Sequence, residues 1–313
     1  MTLQQLRQVL TIAESNSMNE AAKKLFVSQP NLSATVREVE EELGITVFMR
    51  NNRGITVTAE GEEFLGYAKQ VVEQYHLLEN RYLNVESKKK FSVSMQHYSF
   101  AVKAFVQLAK EVGMDEYEFA VHETKTKEVI DNVKNLKSEI GVLYLSDFNE
   151  KVLRKLFKEC DIEFKELFTC NTYVYLWKKH PLAGKKVITL DDLQEYPCLT
   201  FEQGVNNSFY YAEEMMSTYE YKRVIKADDR ATMLNLMVGL NGFTLCSGII
   251  SEDLNGDDYA AIPLKESEKM HIGYIKHKGT KLSKLGEIYI DALKNYENKV
   301  LSVSYTHLRA HET

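Results

Sequence analysis

Cysteine is scarce in this chain. Cys160, Cys170, Cys198 and Cys246 stand far apart in 313 residues, with no C-x-x-C and no nearby histidine pair. That spacing excludes a disulfide framework and a zinc site, and the four thiols read as small buried hydrophobes. Long uncharged apolar runs are lacking too. None approaches the roughly eighteen residues of a membrane span, and the start, "MTLQQLRQVLTIAESNS", is broken by Arg7 and Glu14 instead of forming a signal peptide. A cytoplasmic protein without a membrane partner is expected. A surplus of positive charge is missing as well: the net charge is -6, and the first 90 residues hold 11 Lys/Arg against 12 Asp/Glu. A generally basic nucleic-acid coat is therefore excluded, and any contact with DNA must come from placement. Catalytic signatures are absent: there is no G-x-S-x-G elbow, phosphate loop or H-E-x-x-H, and no paired acidic motif in a glycine setting. Cys246 precedes Ser247 and Gly248 but follows the apolar "GFTL" with no histidine near, which fits a buried thiol better than a nucleophile. No enzyme, cofactor or metal is expected.

What is present begins with helix signals. Thr2 with Gln5, and Ser17 with Glu20, fit the capping box that satisfies free amides at a helix start. The first helix presents Leu3, Leu6, Val9, Leu10 and Ala13 on one face; the second, ending near Phe26, turns Ala21, Ala22 and Leu25 inward. Ser28 then precedes Gln29 and Pro30. A proline in the first turn of a helix loses no hydrogen bond, so Pro30 starts a third helix instead of breaking the second. Leu32, Val36, Val39 and Leu43 form its apolar stripe, Gln29, Ser33, Thr35 and Arg37 project from other faces, and Gly44 supplies a left-handed stop. Two helices joined by a turn of roughly three residues make a helix-turn-helix. Its second helix can enter the major groove N-terminus first, with Gln29 and Ser33 toward the bases. A turn of this kind also occurs in small helical domains that bind no DNA.

The next segment, "ITVFMRNNRGITVTAEGEEF", alternates as short strands over Ile45 to Phe48 and Ile55 to Thr58 around Asn51, Asn52, Arg53 and Gly54. This reads as a wing whose Arg50 and Arg53 reach phosphates or the minor groove, or else stay solvated on the surface. At this point the chain closely resembles the LysR-type transcriptional regulators. The resemblance is carried by Ala21, Ala22, Leu25, Ser28, Gln29, Pro30, Leu32, Ser33, Glu40, Leu43, Gly44, Phe48, Arg50, Arg53, Thr58 and Gly61. One position departs from it: Ala34 stands where that family often has a basic residue, so one family contact with DNA is missing.

Beyond Thr58, the residues Phe64, Ala68, Val71, Tyr75, Leu78, Tyr82 and Val85 recur at alternating intervals of four and three, the seam of a coiled coil. A helix about 40 Å long is expected at 1.5 Å per residue. Its place before the charged "ESKKKF" suits pairing with a second copy better than packing on its own core. Such a dimer would present two recognition helices to a partly palindromic operator.

From Phe91 short strands alternate with helices. Strands are expected at "FSVSM", "YEFAVHE", "EIGVLYL", within "ELFTCNTYVYLWKKHPL", and at "CLTFEQG", "YKRVIKA", "GFTLCSG" and "MHIGYIKHK". Helices are expected over Phe100 to Val112, near Lys127 to Lys137, and over Ser208 to Thr218, Arg230 to Gly239 and Ser283 to Val300. In open α/β sheets ligands bind where loops leave the carboxyl ends of strands. Those loops hold Gln96, His97, Tyr98 and Ser99, then Glu123, Thr124 and Thr126, and from the second half Thr200, Phe201 and Thr244. Each also has a plainer role: Ser99 and Thr126 as helix caps, His97 as an exposed loop residue, Tyr98 and Phe201 as core.

The family resemblance extends over "KKHPLAGKKVITLDDLQEYPCLTF" and "MLNLMVGLNGFTLCSG" to about residue 300. It implies a multidomain α+β/α/β architecture. A winged helix-turn-helix at 1–58 leads into a coiled-coil linker helix at 59–87 and a hinge at 88–90. A periplasmic-binding-protein-like effector domain follows at 91–300, with subdomain I over about 91–162 and 270–300 and subdomain II over about 163–269. The tail 301–313 is unassigned. The resemblance further implies that effectors, often carboxylates, are held by the first-strand loop and the hydroxyls after the second strand, with Thr126 the most transferable position. The implied function is a transcriptional regulator controlled by a small polar or carboxylated metabolite. Its partners would be double-stranded operator DNA, a second copy or a tetramer, and RNA polymerase if it activates. The alternative is a small-molecule-binding protein or enzyme on the same fold without DNA-dependent regulation. The N-terminal segment speaks against it.

Overall fold

A computed structural model describes residues 1–15, 17–51, 54–82, 88–113, 116–206, 208–249, 254 and 256–296. The chain divides into two units, Met1–Ser87 and Lys88–Thr313. Among the described residues no helix is long and apolar enough to cross a membrane. Arg53, Val85 and the tail 301–313 lie outside the described residues, as do the side chains of Arg50 and Tyr82.

In the first unit α1 (Leu3–Ala13) opens with the full Thr2–Gln5 capping box, and α2 (Met18–Lys24) with the Ser17 hydroxyl on the Glu20 amide. Helix α3 (Gln29–Leu43) has Ser28 as its cap, Pro30 in its first turn and Gly44 at φ +70° as its stop. Val9, Ile12, Ala21, Leu32, Val36 and Val39 close the core between these helices. The hairpin strands are β1 (Phe48–Asn51) and β2 (Gly54–Val57), so the first strand starts three residues after the expected Ile45. Glu40 explains the shift: its carboxylate accepts the Val47 and Phe48 amides at 2.7 and 3.0 Å, which fixes Ile45–Val47 as a connector. Thr58 leaves the second strand to accept the Gly61 amide at 2.8 Å, which begins α4 (Ala59–Tyr82).

The expected seam of α4 is split. Ala68 is buried and Phe64 partly so, both against Leu3, Leu6 and Leu10 of α1. Those two residues are therefore intramolecular core, because α1 presents its own apolar stripe to the start of α4. Val71, Tyr75 and Leu78 remain exposed, and Arg7 stacks 5.3 Å from the Tyr75 ring centre while pairing with Glu79 at 3.3 Å.

The second unit is built on a five-stranded sheet. Its strands are β3 (Lys89–Met95), β4 (Tyr117–Glu123), β5 (Ile140–Leu145), β6 (Ile162–Asn171) and β12 (Lys269–His277), in the order β4-β3-β5-β12-β6. β3 runs parallel to β4 and β5, and β12 runs antiparallel to β5 and β6. Helices α5 (Ser99–Val112), α6 (Thr126–Lys134), α7 (Glu150–Glu159) and α10 (Lys284–Lys294) accompany it. A second subdomain holds β7 (Tyr173–Trp177), β8 (Cys198–Phe201), β9 (Val224–Ala227), β10 (Thr244–Cys246) and β11 (Tyr259–Pro263), with α8 (Leu190–Leu193) and α9 (Arg230–Leu240). β10-β7-β11 is antiparallel and β8-β9 parallel. Helix α7, helix α8 and strand β11 were not anticipated from sequence.

Two expectations are corrected here. The chain crosses into subdomain II at Thr172, not at 163, because β6 completes the first sheet. Thr172 ties the two crossings together, its amide on Ser267 Oγ at 2.7 Å and its hydroxyl on the Glu268 carbonyl at 2.9 Å. No helix spans Ser208 to Thr218; a single 3-10 turn covers Phe209–Tyr211. Carbonyls that a helix would use internally are taken from outside: Tyr211 by Thr126 Oγ1 at 2.7 Å, Ala212 and Glu214 by the Tyr144 hydroxyl at 3.0 and 3.3 Å.

Candidate functional site

On α3, Ser28, Pro30, Asn31 and Arg37 are exposed and Gln29 and Thr35 half-buried. Ser33 is not on the surface with them: it is 6% exposed, and its hydroxyl accepts the Gln29 amide at 2.8 Å. The α3 face turns Ser33 toward Met18, Val36 and Phe48, with which it lines a groove of about 380 Å³ that Arg37 and Ile55 share. Ser33 thus holds Gln29 in orientation. Thr35 donates to the Asn31 carbonyl at 3.2 Å, and Arg37 Nε to the Ser33 carbonyl at 3.4 Å. Asn31, in the exposed first turn, was missed; its place directly after Pro30 was the available signal.

The effector-type residues fall into three groups. His97, Tyr98, Ser99, Phe201 and Thr244 come together around one cavity of about 90 Å³ between the two subdomains. At roughly 10–15 Å³ per water, that is room for a handful of waters or one small molecule. Gln96 and Thr126 do not line it. Both are 1% exposed, and they form a closed network beside it: Gln96 Nε2 donates to Thr126 Oγ1 at 2.6 Å, and Gln96 Oε1 accepts the Tyr98 hydroxyl at 3.0 Å and the Tyr144 amide at 3.2 Å. The Thr126 amide, first of α6, already has an acceptor in Gln203 Oε1 at 3.1 Å. Thr126 is therefore a link between the subdomains and offers no free donor. Thr124 and Thr200 lie outside the cavity, half-buried; the Thr124 hydroxyl is spent on Glu128.

Sequence reasoning missed the acidic wall. Glu213 and Glu214 are 6% and 5% exposed and both line the cavity. Glu213 Oε2 accepts the His97 amide at 2.9 Å and faces His97 Nδ1 at 2.8 Å, while Oε1 accepts Gln203 Nε2 at 2.9 Å. The His97 ring stacks on Phe201 with centroids 3.7 Å apart. Glu214 accepts the Phe201 amide at 2.8 Å, and burial, reinforced by Glu213, pushes its carboxyl up to about 8, so it holds a proton at neutral pH. Arg230 lines the cavity too and pairs with Glu123 at the end of β4. The signal for this wall was "FYYAEEMM", two carboxylates set among aromatics and methionines.

Tyr175, Met233, Met237 and Met270 supply apolar surface, and Cys246 lines the cavity with a thiol that burial pushes up to about 12. A thiol so disposed is inert as a nucleophile. Thr244 is 6% exposed, and its hydroxyl has no hydrogen-bond partner among the described residues. The arrangement sets polar groups at fixed positions around an apolar floor, the composition of a small-molecule pocket.

Comparison with known proteins agrees with both halves. Residues 3–62 match the bacterial regulatory helix-turn-helix protein family of lysR type, and residues 96–297 match the LysR substrate binding domain. The HTH-type transcriptional regulator CysL of Bacillus subtilis is 25% identical over 308 residues, covering 95% of this chain and 98% of that protein. The uncharacterized regulator YkuM of the same organism is 41% identical over 81 residues, 26% of this chain and 28% of that protein. The fold matches that of a full-length OxyR variant from Pseudomonas aeruginosa with a TM-score of 0.68 at 20% identity, covering 94% of this chain and 95% of that one. With a winged helix-turn-helix at one end and a two-subdomain, periplasmic-binding-protein-like effector domain at the other, the chain belongs to the LysR family of transcriptional regulators.

Proposed function

We propose that this regulator reads its operator with the first turn of α3 and answers to a small polar or carboxylated metabolite bound in the cavity of the second unit. The observation that carries this reading is the α3 terminus, where Ser28, Pro30 and Asn31 are exposed around a Gln29 amide held by Ser33. Glutamine is suited to bidentate recognition of adenine in the major groove. Arg37, and Arg50 and Arg53 of the wing, supply phosphate contacts. Val71, Tyr75 and Leu78 of α4, exposed at heptad spacing, support pairing with a second copy, so the protein acts as a dimer, or as a tetramer of paired dimers, on a partly palindromic site. It works in the cytoplasm and engages RNA polymerase where it activates. The effector acts by favouring one assembly over another.

Binding to operator and random duplex over a salt series tests the DNA reading. Gln29→Ala costs roughly tenfold on operator, within the range for one bidentate base contact, and little on random DNA. Arg50→Ala weakens both and lowers the salt slope by about one. Equal losses on both duplexes for the Gln29 variant would remove it from base readout. For the cavity, Ser247→Leu narrows the space beside Thr244 and abolishes the effector response of an operator-driven reporter; an unchanged response would take the cavity out of the mechanism.

A further inference from the structure

The cavity has an imbalance of charge. Each basic group that lines it already faces a carboxylate: His97 faces Glu213 at 2.8 Å, and Arg230 pairs with Glu123. Glu214, 5% exposed, accepts the Phe201 amide at 2.8 Å and the backbone amides of Glu213 and Glu214, and has no cationic partner among the described residues. A buried carboxylate without a counter-charge is costly even with amides to accept, so it either stays protonated or finds a cation. Thr244, lining the same cavity, leaves a buried hydroxyl unmatched. The floor offers the side chains of Tyr175, Phe201, Met233 and Met237.

We propose that the cavity takes a small organic cation, an ammonium group carried on an apolar body, with its charge against Glu214 and an N–H on the Thr244 hydroxyl. The proposal rests on the cavity being the effector site and gives its ligand a charge. An ammonium brings three donors and no acceptor, which suits a carboxylate oxygen and a hydroxyl lone pair, and aromatic faces attract it further. A carboxylate ligand would instead meet Glu213 and Glu214, with the His97 ring and the Arg230 guanidinium already engaged by carboxylates. In the free protein Glu214 holds a proton, so binding of the ammonium expels that proton to solvent. The groups facing Glu214 are Glu213 with its partner His97, Tyr98, Tyr144, Cys198 and Tyr221. Burial raises the three tyrosines and the thiol. Glu214 and the His97–Glu213 pair are left as the groups to separate.

The test is calorimetric titration of the full chain at pH 6, 7 and 8 with n-butylamine and phenethylamine, and with valerate and 3-phenylpropionate as carboxylate counterparts. An alkylammonium, like a lysine side chain, keeps its charge throughout this range. At least one amine binds, with affinity rising about tenfold from pH 6 to pH 7 and less from 7 to 8, as required when one proton must leave. Paired buffers at pH 6 detect release of close to one proton per amine, a readout that needs no variant. Glu214→Gln, which keeps an acceptor for the Phe201 amide, lowers amine affinity at least tenfold and removes its pH dependence. No amine binding, or unchanged binding in the Glu214 variant, overturns the proposal. So does a pH dependence that survives there, which would assign it to His97 and Glu213. A carboxylate that binds more weakly as pH rises overturns the charge of the ligand but leaves the cavity as the effector site, whereas failure of that broader reading appears as an effector response untouched by Ser247→Leu.

Discussion

Thr244→Val is expected to make the protein more stable and a poorer sensor. The threonine sits in β10 opposite Tyr175 of β7, 6% exposed, with its hydroxyl buried and unpartnered. Valine has nearly the same volume and the same β-branched preference for strands, so backbone and packing change little. What changes is the desolvation penalty of an unmatched hydroxyl, about 1–3 kcal/mol. Allowing for partial hydration of the cavity, the net gain is about 1 kcal/mol, which for a unit of this size moves the melting temperature up by roughly 3 °C. The loss of one hydrogen bond to ligand, about 0.5–1.5 kcal/mol, weakens binding by roughly two- to tenfold. Scanning calorimetry of the ligand-free full chain measures the first effect and titration the second. A melting temperature lowered by 3 °C or more would refute the reasoning, because it would mean that the hydroxyl is satisfied in solution.

Two further outcomes follow from the same geometry. Gly61→Ala destabilises the DNA-binding unit by about 2 kcal/mol or more, because a Cβ there would stand 2.3 Å from the Val47 carbonyl oxygen, a backbone atom with little freedom to move; an unchanged first unfolding transition in denaturant would contradict this. Glu214→Gln shows a pH-dependent gain. The folded carboxyl is raised to about 8 from 4.5, so the parent is most stable below pH 4.5 with respect to this group and loses that stability as pH rises through 8. The stability difference between variant and parent therefore widens from pH 5 to pH 8 in urea titrations, and a constant difference would show that Glu214 does not titrate with folding.

The features readable in the sequence are those fixed by neighbours along the chain. Ser28, Pro30 and Gly44 bound α3 because capping, proline placement and a left-handed stop act within one turn. Ser33 was misread because its burial depends on Met18, Val36 and Phe48 packing around it, which the heptad-like stripe of α3 does not encode. The stretch after Ser208 has helical spacing, yet its carbonyls are claimed by hydroxyls 68 and 85 residues away, on Tyr144 and Thr126. Periodicity carries no information about such distant claims. The same reason hid Glu213 and Glu214: charge suggests solvent until a fold supplies His97, Gln203 and the Phe201 amide as partners. Loop residues at strand ends were easier, since the topology of an α/β sheet alone gathers His97, Ser99 and Phe201.

The Gln203 side chain on the Thr126 amide has a quantitative consequence. An acceptor tethered to the same polypeptide competes for that donor at an effective concentration on the order of millimolar. A free metabolite at micromolar level gains nothing from replacing like with like there; it must draw its affinity from groups left without a match, and only then can it dislodge the tether. A molecule that merely imitates the Gln203 carboxamide is therefore expected to leave the Thr126 amide where it is.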